Sequence, residues 1–151
     1  MRSAIAPRLR AGHDAMKVWV GRWRADGHSH TPDGARGPWR SVESFEMLPG
    51  GFFILQRWHE HGQDERFEGI SILAYDPKVD EYRSLNFENH GYERNYLVKR
   101  NGRQWKFDGD TERALYDFDR AGRRVEIRWE ARAAPDQPWR PLCDRIAMRI
   151  D

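Results

Sequence analysis

The chain has a single cysteine, Cys143, so no internal disulfide can staple it. That excludes the small disulfide-framed secreted class, and a reducing cytoplasm is the expected location. Long apolar runs are also missing. None approaches the ~20 residues a membrane-spanning helix needs. Met1 to Leu9 carries arginines but no apolar segment of signal length. A soluble, unexported chain with no membrane partner is expected. Charge of one sign is scarce too: 26 Lys+Arg against 24 Asp+Glu leave a formal net charge of +2, with the signs alternating. A nucleic-acid surface gathers basic side chains on one face, so no nucleic-acid partner is expected. No Gly-x-Ser-x-Gly elbow, P-loop or dinucleotide-binding loop occurs.

What the chain does have is rings. Seven tryptophans and a 13% aromatic share must supply a core in which aliphatics are few. The 151 residues suit one domain, with an arm and short helix over 1–17 and a barrel over 18–151. Pro7 precedes a segment, Arg8 to Lys17, with helical character. From Val18 onward, about ten short runs with strand character alternate with turn signals. Asp26 to Pro38 reads as a long polar loop, and Gly62-Gln63-Asp64 and Asp76-Pro77 read as turns. Asn101-Gly102 predicts a type I′ hairpin. Val125, Ile127, Trp129 and Ala131 share one face of a strand, and Glu126, Arg128, Glu130 and Arg132 share the other. Connections are of hairpin length, so an up-and-down meander is the simplest order. Ten meandering strands leave two long edges unless the sheet closes. The expected fold is all-β: one antiparallel up-and-down barrel of about ten strands with a short N-terminal helix.

Gly21-Arg22-Trp23 on the first strand resembles the lipocalin and fatty-acid-binding (calycin) signature. There the tryptophan packs at the closed end under an arginine from the last strand; Arg149 or Arg145 would play that part here. The resemblance narrows further along the chain. Leu48-Pro49-Gly50-Gly51-Phe52-Phe53, Glu68-Gly69-Ile70, Ala74-Tyr75-Asp76-Pro77, Phe87-Glu88-Asn89-His90-Gly91, Trp105-Lys106-Phe107-Asp108-Gly109 and Trp139-Arg140-Pro141 follow in order. Together they resemble a small bacterial calycin-like family, the domain of unknown function 1579. The resemblance implies a ten-stranded barrel and brings no reaction or cofactor with it.

The Tyr82–Lys99 hairpin carries the densest chemistry. A three-residue Asn89-His90-Gly91 loop with Gly91 left-handed sets Glu88 opposite Tyr92, Asn86 opposite Arg94 and Ser84 opposite Tyr96. One side is then polar, and the other carries Leu85, Phe87 and Leu97. Either side could face inward. With the polar side inward, Arg94 would grip an anion and Glu88 would serve as counter-ion or base. Glu43, on the face of Phe45, and Arg57, between Gln56 and Trp58, are open in the same way. His59-Glu60-His61 with Glu65 resembles the His-x-His-x-x-x-Glu core of cupin metal sites. Its glycines are misplaced and no second cupin motif follows, so no metal is expected. His28-Ser29-His30 reads as a surface pair. Nitrobindins, also calycin-like, hold haem through a histidine near the chain's end. No histidine follows His90 here, so no cofactor is expected.

Three functions remain open. The first is binding of a small amphipathic or aromatic molecule, an anion among the options, inside the barrel. Trp23, Glu43, Phe45, Arg57, Trp58, Asn86, Glu88, Arg94, Tyr96 and Trp129 are the candidate ligand-binding residues. The second is a cofactor-free cyclase, isomerase or hydrolase using Glu88, His90 or His59 as acid–base. The third is a ring-filled barrel acting through its outer surface, a homodimer included. Fold alone cannot choose.

Overall fold

In a computed structural model, which describes residues 6–31, 33–34, 36–62 and 65–151, the chain is a closed ten-stranded antiparallel barrel. Gln63-Asp64 of the proposed turn and the first five residues of the arm lie outside the described residues. A helix, α1 (Ala11–Ala15), runs into a 3-10 turn at Met16–Trp19. The strands are β1 (Gly21–His30), β2 (Arg36–Met47), β3 (Phe53–His61), β4 (Arg66–Asp76) and β5 (Glu81–Glu88). Then come β6 (Glu93–Asn101), β7 (Gln104–Asp108), β8 (Glu112–Phe118), β9 (Arg124–Ala131) and β10 (Arg140–Arg149). Each strand pairs with its sequence neighbours. β10 also pairs with β1, from Trp23 opposite Arg149 to Ser29 opposite Cys143. Closure removes both sheet edges.

One end of the barrel is plugged by rings. The 3-10 turn delivers Trp19, 3% exposed, into the interior. It contacts Phe45, Trp105, Phe107, Tyr116 and Phe118 at centroid separations of 4.9–5.9 Å, mostly edge-on. The helix is half the length the sequence suggests because the chain must tighten to push Met16 and Trp19 inward. It is pinned where the Tyr82 hydroxyl donates to Gly12 O at 2.8 Å. Below the plug, Arg149 crosses the Trp23 ring at 4.3 Å and donates to the carbonyls of Val18, Val20 and Gly122. Gly21 has φ +135°, and a Cβ there would fall 2.1 Å from Arg149 Nη1. The Gly-x-Trp pattern therefore has a local cause: the glycine leaves the arginine room to pass.

Two turn assignments change. Asp26–Pro38 is not a long loop. β1 runs to His30 and β2 starts at Arg36, with Gly27 opposite Trp39 and Ser29 opposite Gly37. This stretch is polar on both faces, so it lacks the alternation that marks a half-buried strand. At the Asn101-Gly102 hairpin, Asn101 pairs with Gln104 and the loop residues are Gly102 and Arg103. Gly102 alone has positive φ, +61°. A type I′ turn needs positive φ at both central residues, which excludes it.

The Tyr82–Lys99 hairpin has the register read from its loop: Ser84 opposite Tyr96 and Asn86 opposite Arg94, with Gly91 at φ +92°. Its polar side faces the interior. Leu85, Phe87 and Leu97 lie outside at 38–42% exposure, beside Ile70.

Candidate functional site

Above the plug the barrel is hollow. A cavity of about 320 Å³ opens at the end of the barrel away from the 3-10 turn. Strand alternation decides what faces it. On β3, Gln56, Trp58 and Glu60 point in, so Arg57 and His59 point out. On β10, Leu142, Cys143 and Arg145 reach the lining. Trp19, Phe45, Leu73 and Phe107 make the floor. A polar girdle lies above it, and more rings and charges form the mouth.

The deepest charge is Arg145, its side chain 2% exposed. Its Nη1 lies 3.5 Å from Glu43 Oε1 and 3.2 Å from Glu60 Oε1, and donates to Ser41 Oγ at 2.7 Å. Glu43, 6% exposed, also accepts from the Ser41 hydroxyl at 3.3 Å and from Gln56 Nε2 at 3.1 Å. Two carboxylates thus share one guanidinium. Burial pushes the Glu43 carboxyl above its ordinary value, and Glu60 adds to the shift; Arg145 and the two hydrogen bonds only partly oppose it. The Tyr116 phenol is also held up, first by burial and then by Glu43.

The facing wall is a hydrogen-bonded chain. Trp58 Nε1 donates to Ser71 Oγ at 3.3 Å, and Ser71 Oγ donates to Asn86 Oδ1. Asn86 Nδ2 donates to Ser84 Oγ at 2.9 Å and to Arg94 O at 3.1 Å. The Tyr96 hydroxyl donates to Glu112 Oε2 at 2.9 Å. Burial first, and Glu112 second, hold the Tyr96 phenol well above the usual tyrosine range. Trp129 packs on Tyr96 at 5.5 Å.

At the mouth, Arg94 lies 3.7 Å from Glu112 Oε1 and 4.6 Å over the Tyr92 ring. Glu88 Oε1 accepts both the backbone N–H and the ring Nδ1 of His90. The Glu88 side chain is only 5% exposed, and its Oε2 is buried with no partner. His90 rests on Phe67 at 5.1 Å, and Phe67 stacks on Trp39 at 5.5 Å.

The lining therefore gathers Glu43, Phe45, Trp58, Asn86, Glu88, Arg94, Tyr96 and Trp129 around one space. It leaves out four candidates. Arg57 is on the outer face, His59 pairs outside with Glu68 at 3.3 Å, and Trp23 sits beneath the floor. His90 stands at the rim, bonded to Glu88. In His59-Glu60-His61 the alternation sends the glutamate inward and both histidines outward, so the cupin-like spacing does not gather. The sequence reading missed Glu60, Glu112, the Trp39–Phe67 pair and the cavity role of Arg145. Glu60 shares the face of Trp58, and Arg145 that of Cys143, and that alternation was the available signal.

Among the described residues, no helix is long and apolar enough to cross a membrane. The sequence profile of a family described as "Protein of unknown function (DUF1579)" matches residues 8–104. No curated protein matches the chain by sequence. Similar solved structures include Rv2717c from M. tuberculosis, with a TM-score of 0.71 and 12% identity over 95% of this chain and 100% of that one. The S-type phycobiliprotein lyase CPES from Guillardia theta has a TM-score of 0.58 and 11% identity over 96% and 99%. A de novo designed fluorescence-activating β-barrel has a TM-score of 0.50 and 15% identity over 91% and 98%. At these identities the likeness is one of fold.

Proposed function

We propose that this chain, which belongs to the DUF1579 family, binds a small aromatic or amphipathic molecule inside its barrel. The carrying observation is the preformed cavity of about 320 Å³, closed below by rings and girdled by fixed polar groups. That combination is typical of small-molecule sites: apolar contact supplies affinity and a few polar atoms set orientation. A packed barrel acting only through its outside has no use for this interior. The fold likeness to a barrel described as fluorescence-activating supports the same use of the space. A cytoplasmic setting fits the one cysteine, buried and unpaired.

Native mass spectrometry of freshly purified protein should show a retained small molecule. A thermal-shift screen of aromatic and amphipathic compounds should find stabilising ones, as a ligand of the folded state must stabilise it. Apo protein only, with no stabilisation across such a library, would overturn the proposal.

One observation favours a second reading. Glu43 and Glu60 share Arg145, and burial raises the Glu43 carboxyl above its ordinary value, so two carboxyls meet within one cavity. An acid–base enzyme needs such a pair. A ligand recovered chemically altered after incubation would select this reading; an unchanged ligand selects the binder.

A further inference from the structure

The charge of the lining assigns a class of ligand. Four carboxylates line the cavity, those of Glu43, Glu60, Glu88 and Glu112, against two guanidiniums, Arg94 and Arg145. Neither guanidinium stands alone. Arg145 is held between Glu43 and Glu60, and Arg94 faces Glu112. An anionic guest would have to displace a carboxylate that is already in place. Arg145 thus serves Glu43 and Glu60, and Arg94 serves Glu112. Among the described residues Glu88 is the one of the four with no guanidinium partner.

Glu88 is also where a polar atom is orphaned. Its side chain is 95% removed from solvent, and its Oε1 is taken by His90 while its Oε2 has no donor. A buried carboxylate oxygen without a hydrogen bond costs free energy, and a guest that supplies a donor regains it. The rings nearby suit a cation. Phe67 stacks on Trp39 and touches His90, which binds Glu88, so an aromatic wall adjoins the Glu88–His90 pair on the same cavity lining. Aromatic faces attract positive charge, most of all when water is excluded.

We propose that the occupant is an organic cation, an aromatic or amphipathic amine or amidine. Its protonated nitrogen is received by Glu88 Oε2 beside the Trp39–Phe67 pair. Its apolar part descends to the floor of Trp19, Phe45, Leu73 and Phe107. This deepens the binding function proposed above and rests on it. It takes a different ligand charge from the anion that the sequence offered as one option for Arg94.

The test compares three probes that share one ring system: 2-naphthylmethylamine, 2-naphthylmethanol and 2-naphthoate. Affinities are measured by calorimetry at low salt on the unmodified protein. The amine should bind about tenfold or more tighter than the alcohol, the worth of one charge-assisted hydrogen bond, with the carboxylate weakest. Glu88→Gln keeps an acceptor for His90 and removes the charge. It should weaken the amine about tenfold or more and the alcohol less, closing the gap between them. An alcohol or carboxylate that binds as tightly as the amine overturns the cation proposal and leaves the binding function standing. If none of the three binds, the cation proposal falls, and the wider library decides the binding function separately. Should the Gln variant fail to fold, the order of the three probes on the unmodified protein still decides.

Discussion

Replacing Arg145 by methionine should destabilise the protein by about 3–5 kcal/mol at neutral pH. Methionine keeps most of the length and volume, so packing is changed little. What is lost is the cation held between Glu43 and Glu60. The contacts are at 3.5 and 3.2 Å, and the three side chains are 2%, 6% and 19% exposed, so water screens them poorly. With an effective dielectric near 20, each contact is worth about 5 kcal/mol of gross attraction. Desolvation of the charges offsets most of that. Removing one partner of a buried pair nonetheless costs about 3–5 kcal/mol, because the remaining charge is left uncompensated. A domain of this kind has about 5–15 kcal/mol in all, so the variant should fold with a much lower midpoint. Urea unfolding followed by tryptophan fluorescence measures it, given an unchanged m-value.

The pH dependence identifies the cause. Burial already raises the Glu43 carboxyl above 4.5, and Arg145 is the chief influence that lowers it. Without Arg145 the folded-state value climbs further. Above 4.5 the folded state then holds a proton that the unfolded state has released, so stability falls as pH rises. The cost of Arg145→Met should be larger at pH 8 than at pH 5. Adding Glu43→Gln should recover about 2 kcal/mol or more at pH 8, since a neutral amide there needs neither a cation beside it nor a bound proton. A cost below about 1 kcal/mol at pH 8, or one equal at both pH values, refutes this account of the Arg145 cluster.

Two further outcomes follow from the closed end and the girdle. Arg149→Lys should lose about 1–3 kcal/mol in the same urea assay, because an ammonium cannot both cover the Trp23 ring and reach the carbonyls of Val18, Val20 and Gly122. Burial first of all pushes the Cys143 thiol up to about 12, so at pH 8 it should resist a thiol-alkylating reagent until urea unfolds the chain. Rapid labelling of native protein would contradict that placement.

Closure and the hairpin register were legible because each depends on local signals. Glycine at a loop's left-handed position counts residues, and the count fixes which side chains face each other, as Gly91 does for Asn86 and Arg94. Which side of that hairpin faces inward was not legible. Leu85, Phe87 and Leu97 are apolar enough for a core, and Ser84, Asn86 and Arg94 are polar enough for a surface. The decision is made elsewhere in the chain. Trp19 gathers Phe45, Phe107, Tyr116 and Phe118 into a plug, which leaves the upper barrel as an open cavity with polar groups in its lining rather than an apolar core. A segment's own pattern carries no record of that.

The same reasoning separates the two arginines of β10. Arg145 and Arg149 are four residues apart, so the alternation of the strand puts both on the inner side, and the calycin resemblance left either to cross Trp23. Height along the barrel decides. Arg149 stands opposite Trp23 in the β1–β10 register, while Arg145 stands opposite Gly27, about 13 Å higher at a strand's rise per residue. At the lower level an arginine meets an indole and backbone carbonyls, and it locks the closed end. At the upper level the same side chain meets Glu43 and Glu60, and it becomes the cation of a cavity. Spacing in a sequence gives the face of a strand. The level comes only from the partner strand, and here the level is what divides structure from function.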